Sequence, residues 1–309
     1  MKIVFFGSPD FAVPSLAAVA AHWDVLLVVA QPDRPAGRGQ KVHAPAVKLW
    51  AEAHGLKVAQ PQRLKGDEGL AFVEELRALQ PDVFVVAAYG KILPQALLDV
   101  PRLGPFNVHG SLLPMYRGAA PIQWSVMNGD IETGVTIMKM EAGLDTGPIV
   151  SVRRTPIGQS ETAGQLFDRL SKIGAELLVD TVRGIEAGRA TQTPQDHALA
   201  TLAPMLTKEM GHLDFSKSAR LVSAQARGVD PWPGAYALLS GEPVKLFGPS
   251  IVDGSGVPGT VVVADKRGLH IACGQGALSF AEIQLPGRKR LEVQAVIAGR
   301  GMREGAILA

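Results

Sequence analysis

Along the first half of the chain, short apolar runs alternate with stretches whose apolar positions recur every three or four residues. The runs Lys2–Phe6, Val25–Gln31, Val83–Ala88 and Phe106–His109 are strand-length and rich in Val and Phe, a pattern that suits buried strands. Helical spacing covers Phe11–His22, Ala46–His54, Glu68–Gln80, Gln95–Val100 and Ala120–Asn128. Pro14 falls early enough in the first of these to be tolerated, and Gly55 stops the second. Alternation at this spacing predicts an α/β domain built on a doubly wound, mostly parallel sheet. Asn128-Gly129 reads as a turn ahead of strands at Gly134–Met140 and Ile149–Arg153. Ser160 is placed to cap a long amphipathic helix, Thr162–Glu186, that Gly188 closes.

From Arg189 to about Pro204 the residues turn small and polar, with no periodicity and with prolines at 194 and 204. This reads as a linker, so a first domain is expected over 1–188, a linker over 189–205 and a second domain over 206–309. In the second domain a short helix, Ala219–Arg227, precedes Asp230-Pro231-Trp232-Pro233-Gly234. Five β-rich runs with Gly and Pro turns follow: Ala235–Ser240, Val244–Phe247, Thr260–Ala264, Gly268–Cys273 and Leu278–Leu285. Their number and spacing predict a small OB-like β-barrel. There is no internal repeat and no low-complexity tract.

Composition narrows the class. Of 309 residues, 47% are hydrophobic and 19% charged, a globular rather than a disordered balance. The longest apolar runs, such as Val25–Ala30, are far too short to span a membrane. Met1-Lys2 leads straight into a strand without a cleavable signal pattern. The single cysteine, Cys273, excludes an internal disulfide and a multi-cysteine metal site, and its strand-like surroundings predict a core residue. The expectation is a cytoplasmic monomer with no metal and no membrane association. Net charge is only +2, but the part from Leu206 onward carries 12 Lys and Arg against 9 Asp and Glu, and the remainder 19 against 20. A mildly basic second domain is compatible with a nucleic-acid partner and equally with an ordinary solvated surface.

Candidate chemistry concentrates in Asn107-Val108-His109-Gly110-Ser111-Leu112-Leu113-Pro114 and in Gly143-Leu144-Asp145-Thr146-Gly147. In an extended segment Asn107 and His109 point to the same face. They sit at a strand end, where open α/β sheets bind ligands. A carboxamide, an imidazole and a glycine-flanked acid suit acyl-type transfer: a donor for a developing oxyanion, a titratable ring and a group that orients it. Gly7-Ser8-Pro9 looks superficially like a phosphate loop, but it lacks both GxGxxG and a Walker lysine, so a nicotinamide or ATP site is not expected.

The same residues carry a resemblance. Asn107–Pro114, Tyr116-Arg117-Gly118-Ala119-Ala120-Pro121-Ile122-Gln123 and Gly143–Gly147 closely resemble the folate-dependent formyltransferases. Phe6–Ala12, Gln31–Gly39 and Gly134–Met138 point within that family to members acting on aminoacylated initiator tRNA. The resemblance spans nearly the whole chain and is weakest over the last hundred residues. It implies a formyltransferase-like Rossmann variant followed by an OB-like domain. The implied reaction moves a formyl group from 10-formyltetrahydrofolate to the α-amine of methionine on initiator tRNA. The family's catalytic Asn, His and Asp fall on Asn107, His109 and Asp145. Its pterin would be surrounded by the loop holding Tyr89, Gly90, Ile92 and Leu93, by Ser111, Leu112, Leu113 and Pro114, and by the Glu141–Asp145 loop. Without the resemblance, Ser111–Pro114 would read as a plain turn.

Arg34, Arg38 and Lys41 lie in a Pro- and Gly-rich loop of about a dozen residues, a length that is usually functional or mobile. In the family this insertion contacts the tRNA acceptor end, and Lys208 would face the same groove. Arg117 and Arg288-Lys289-Arg290 are weaker candidates for that contact, since a charge run is usually only a solvated face. Competing readings are a formyltransferase for a small amine, a formyl-folate hydrolase, or a nucleotide-binding regulator with an OB module. The second domain and the Arg34–Lys41 loop are unnecessary for a small acceptor, and a regulator leaves Asn107, His109 and Asp145 without a task.

Overall fold

The apolar runs of the first half become the strands of one sheet. The structure, a computed structural model, describes residues 1–36, 41–299 and 301–309. A first compact unit comprises Met1–Pro121, Gly134–Thr155 and Phe167–Ala203. Its strands begin with β1 (Lys2–Gly7), β2 (Asp24–Val29), β3 (Arg34–Ala36), β4 (Lys41–His43) and β5 (Val58–Ala59). They continue with β6 (Val83–Ala87), β7 (Gly104–His109), β8 (Arg117–Gly118), β9 (Glu132–Lys139), β10 (Ile149–Pro156) and β11 (Leu202–Ala203). Seven of them order as β10-β9-β7-β6-β1-β2-β5. The β2–β5, β1–β2, β1–β6 and β6–β7 pairs are parallel, and β9 runs antiparallel to β7. Central strands covered on both faces need continuous apolar sequence. Ile3, Val4, Phe5 and Phe6 are accordingly fully buried, as are Phe84 and Val85.

Helices α1 (Val13–Ala20), α2 (Ala46–Ala53), α3 (Gly66–Ala78), α4 (Gln95–Leu98), α5 (Pro121–Met127) and α6 (Ala163–Glu186) occur where the spacing predicts helices. Chain order reverses between β1 and β6, with β2 and β5 to one side and β7 to the other. In such sheets ligands gather outside the carboxyl ends of the strands at that reversal.

Three details depart from expectation. Thr162, not Ser160, caps α6: the Gln165 N–H donates to Thr162 Oγ1 at 3.3 Å and the Thr162 N–H to Gln165 Oε1 at 3.0 Å, a reciprocal capping box. The loop after β2 is a hairpin on either side of residues 37–40, with Arg34 opposite His43 and Pro35 opposite Val42. Pro35 is tolerated because the ladder is two-stranded and has an open edge. The stretch expected to be a plain linker packs on the first unit through Ala203. Thr193 and Ile149 exchange backbone hydrogen bonds of 2.8 Å, and β11 pairs in parallel with β8. Two-residue strands carry no readable periodicity, which is why these pairings are invisible in the sequence.

A second compact unit comprises Ile122–Thr133, Pro156–Leu166 and Pro204–Ala309. It contains α7 (Ala219–Gly228), β12 (Tyr236–Leu239), β13 (Glu242–Val252), β14 (Val261–Asp265), β15 (Gly268–Ala272), β16 (Ala277–Gln284), β17 (Leu291–Glu292) and α8 (Val293–Ala298). The sheet is antiparallel, ordered β12-β13-β16-β15-β14, with β17 beside β16. It curls around Phe215, Val222, Leu246, Leu269, Phe280 and Leu308, and Met127 packs against the same core. Cys273 lies in this core, as expected, and burial pushes its thiol up to about 11.

Residues 306–309 join the two edge strands. Leu238 and Ala309 exchange backbone hydrogen bonds of 2.7 and 2.9 Å, Leu308 N–H donates to Gly259 O at 2.8 Å, and Val261 N–H to Ala306 O at 2.8 Å. An otherwise open sheet thereby hides both edges. Among the described residues no helix is long and apolar enough to cross a membrane.

Leu308 is 2% exposed and anchors this closure. Leu308→Ala is expected to destabilise the second unit by about 2–5 kcal/mol, as for other core truncations. Urea unfolding followed by Trp fluorescence measures it. An unchanged midpoint would mean that the tail rests on the barrel without closing it.

Candidate active site

β7 delivers its last residue, His109, to the carboxyl edge of the sheet with only 4% of its surface exposed. Both ring nitrogens have neighbours. Nε2 lies 2.9 Å from the Tyr116 carbonyl oxygen. A carbonyl only accepts, so the hydrogen resides on Nε2. Nδ1 faces Asp145 Oδ2 at 3.7 Å, beyond hydrogen-bond length and within ion-pair reach of a protonated ring. The same carboxylate oxygen accepts the Gly118 N–H at 2.9 Å. Asn107, two residues back on β7, is half-buried, and its carboxamide has no hydrogen-bond partner among the described residues.

The turn after β7 is tied to β9. Thr136, opposite His109 in the ladder, donates its hydroxyl to Ser111 O at 2.7 Å and accepts the Leu113 N–H at 3.2 Å. Ser111 Oγ donates to Met115 O at 2.6 Å. These bonds bring Tyr116 back over His109. Gly118 has φ +120°, and a Cβ there would stand 2.9 Å from Ala203 O. Only glycine therefore lets this N–H reach Asp145 while β8 pairs with β11.

Asp145 has φ +51°, left-handed for a residue with a side chain. Such conformations persist only where the surroundings impose them. Here Gln195 does so. Its Nε2 donates to Asp145 O at 2.8 Å and to Gly147 O at 2.7 Å, and the residue is 6% exposed. Gln195 Oε1 accepts from Arg117 Nε at 3.2 Å and from Nη2 at 2.6 Å. Nη2 also lies 2.9 Å from His197 Nδ1, which must act as the acceptor because guanidinium only donates. Arg117, a weaker candidate for a tRNA contact by sequence, is 7% exposed. Its charge is spent inside the unit, orienting an amide.

The residues expected around a pterin divide. Gly90 and Ile92 are exposed, whereas Leu93, Leu112, Leu113 and Ser111 are buried and Pro114 is half-buried. Ser111's hydroxyl is used by its own turn, so the segment offers a ligand backbone and Pro114 rather than that side chain. Tyr89 points into the core beside Phe6 and Phe84, its hydroxyl unpartnered and pushed up to about 12 by burial. Its carbonyl accepts from Gln31 Nε2 at 3.0 Å and Ser8 Oγ at 3.4 Å.

Of the basic residues, Arg34 is exposed and lies 3.5 Å from Gln31 Oε1. Burial, and then the Arg34 charge, push the Lys91 ammonium below its ordinary range. Arg38 and the side chain of Lys41 lie outside the described residues. Lys208 is exposed in the second unit. In the Arg288–Arg290 run, Arg290 pairs with Glu282 and stacks 3.8 Å over the Phe247 ring. No group of three or more His, Cys, Asp or Glu able to hold a metal occurs among the described residues.

Sequence reasoning missed Gln195, the structural use of Arg117, and the Tyr116 carbonyl and Gly118 N–H. Backbone groups leave no mark on a pattern of side chains, and Gln195 lies in a stretch without periodicity.

Residues 1–182 match the family described as formyl transferase, and residues 205–301 the formyl transferase C-terminal domain. The chain belongs to the formyl transferase family. Two relatives, from Citrifermentans bemidjiense and Pelobacter propionicus, are both called methionyl-tRNA formyltransferase. They are 47% and 48% identical over 100% and 99% of this chain, and 96% of each relative is covered. The Helicobacter canadensis N-formyltransferase, solved with folinic acid and dTDP-3-aminofucose, shares the fold at a TM-score of 0.69 and 18% identity. That match covers 94% of this chain and 100% of the other.

A Cβ at Gly147 would stand 1.9 Å from Lys139 O. Gly147→Ala must therefore displace the loop that carries Asp145, at a cost of about 1–3 kcal/mol typical of overpacking. Thermal unfolding of the variant measures this. A wild-type melting temperature would show that the loop has slack.

Proposed function

We propose that this chain transfers the formyl group of 10-formyltetrahydrofolate to the α-amino group of methionine on initiator tRNA, for the start of translation. The observation that carries the reading is the meeting of His109 Nδ1 and Asp145 at 3.7 Å, beside the unpartnered carboxamide of Asn107. Full-length similarity to relatives of that name supports the choice of acceptor.

The neutral amine attacks the formyl carbon, forming a C–N bond and a tetrahedral adduct with a negatively charged oxygen. Nε2 of His109 is held by Tyr116, which leaves Nδ1 as the working nitrogen. Nδ1 lies 3.7 Å from Asp145 Oδ2, and in the protonated ring Nδ1–H and the Asn107 amide are the two donors for the oxyanion. Removal of one such donor typically costs about 3–4 kcal/mol of barrier. The proton lost by the amine reaches the folate nitrogen through water or through Asp145, and the C–N bond to folate then breaks. Exposed Gly90 and Ile92, half-buried Pro114 and the 141–145 loop are the groups positioned to hold the pterin.

In this reading residues 1–188 carry the chemistry, Gln195 in the 189–205 stretch braces it, Arg34, Arg38 and Lys41 contact tRNA, and 206–309, Lys208 included, supply further tRNA surface. The enzyme works in the cytoplasm as a monomer, away from membranes. The discriminating assay offers formyl-folate with methionyl-tRNA, free methionine or an amino-sugar nucleotide, and follows N-formylation. Formylation of the amino sugar alone would move the chain to the small-acceptor branch.

His109→Ala and Asp145→Ala are expected to lower kcat by at least about 100-fold while folate binding persists, because both act on charge that develops in the transition state. Near-normal turnover in either variant would remove that residue from the mechanism. Arg34→Ala and Arg38→Ala should weaken use of methionyl-tRNA and leave folate affinity unchanged. Each lost phosphate contact makes the salt dependence of tRNA affinity shallower by about one unit of log–log slope. Identical slopes for variants and wild type would make the loop a bystander.

A further inference from the structure

The loop that presents Asp145 has little of its own to hold it. Residues 141–144 are exposed, and Asp145 sits in a left-handed conformation that its side chain disfavours. Two side-chain–backbone hydrogen bonds from one buried amide, Gln195, pin the carbonyls of Asp145 and Gly147 from below. The amide cannot turn over. Its Oε1 receives two N–H groups from Arg117, so its NH2 must face the carbonyls. Arg117 and Gly118 are consecutive residues of β8, and while the first orients Gln195, the second donates to the Asp145 carboxylate. One short strand thus fixes both the backbone and the side chain of the acid.

We propose that Gln195 is a positioning residue for formyl transfer, with Arg117 holding its amide in the donating orientation. Gln195 acts by setting Asp145 against His109 Nδ1 and touches no substrate. The inference rests on the reading of Asp145 as the acid that supports His109. Only an amide meets the demand. A carboxylate in Gln195→Glu would face two carbonyl oxygens with no hydrogen to give, and a thioether in Gln195→Met fills the space without donating.

The experiment is steady-state formylation of methionyl-tRNA by wild type, Gln195→Met, Gln195→Glu, Asp145→Ala and the double variant Gln195→Met/Asp145→Ala. Circular dichroism confirms that each is folded. Misplacement of a reacting group by about an ångström costs on the order of 100-fold, so Gln195→Met should lose 10- to 100-fold in kcat. KM for both substrates should stay within about twofold, since the loss falls on the transition state. Gln195→Glu should lose at least as much. The double variant should be no slower than Asp145→Ala alone, because a clamp has no further effect once its carboxylate is gone.

Wild-type kcat in Gln195→Met beside a crippled Asp145→Ala would overturn the clamp and leave the catalytic reading standing. So would losses that multiply in the double variant, or a loss confined to KM. Near-normal activity of Asp145→Ala would instead bring down the catalytic reading itself. Should Gln195→Met fail to fold, Arg117→Lys carries the same test. Its ammonium cannot donate twice in the guanidinium's planar geometry, so a partial kcat loss that vanishes in the Asp145→Ala background is expected, and an undiminished loss in that background overturns the proposal.

Discussion

A buried imidazole at the end of a strand cannot be left with an unsatisfied N–H, and the rim of the site is organised around that demand. The Nε2–H of His109 is met by the Tyr116 carbonyl, seven residues on, so the chain must double back. Thr136 makes the return possible by holding the turn from the opposite strand. Once Tyr116 is seated, its two successors are delivered in order. The Arg117 guanidinium reaches Gln195, and the Gly118 N–H reaches Asp145. Three consecutive residues thus reach His109, Gln195 and Asp145.

This arrangement also divides labour within the imidazole. Nε2 is committed to a neutral acceptor, and Nδ1 is the nitrogen that faces the carboxylate. Backbone groups do the holding, so in the proposed reaction the half-buried Asn107 amide is the donor left for the developing charge. A preorganised donor needs no rearrangement when that charge appears, and this is the usual source of its effect.

The second unit solves a different problem. An antiparallel sheet that curls without meeting itself leaves two edges ready to pair with other chains. Here the last four residues supply the missing hydrogen bonds to both edges, so a segment too short to register as a strand completes the barrel. The core behind it also includes Met127, from a segment far earlier in the chain.

What the sequence determined by itself was periodic or chemically distinctive. Continuous apolar runs specified β1, β2, β6 and β7, because a strand buried on both faces admits little else. Helical spacing located α2, α3 and α6. Asn107 and His109 could be paired because strand geometry alternates side chains with a period of two. The acid was marked by its glycines, one of which, Gly147, is required by the close approach of Lys139 O. The tertiary structure alone decided what those groups touch. Which His109 nitrogen is free depends on a backbone carbonyl, and every residue type has one. Whether Arg117 is a surface charge or a buried strut depends on Gln195, 78 residues away. The role of 189–205 depends on pairings of two residues each, and so short a ladder leaves no trace in the order of amino acids.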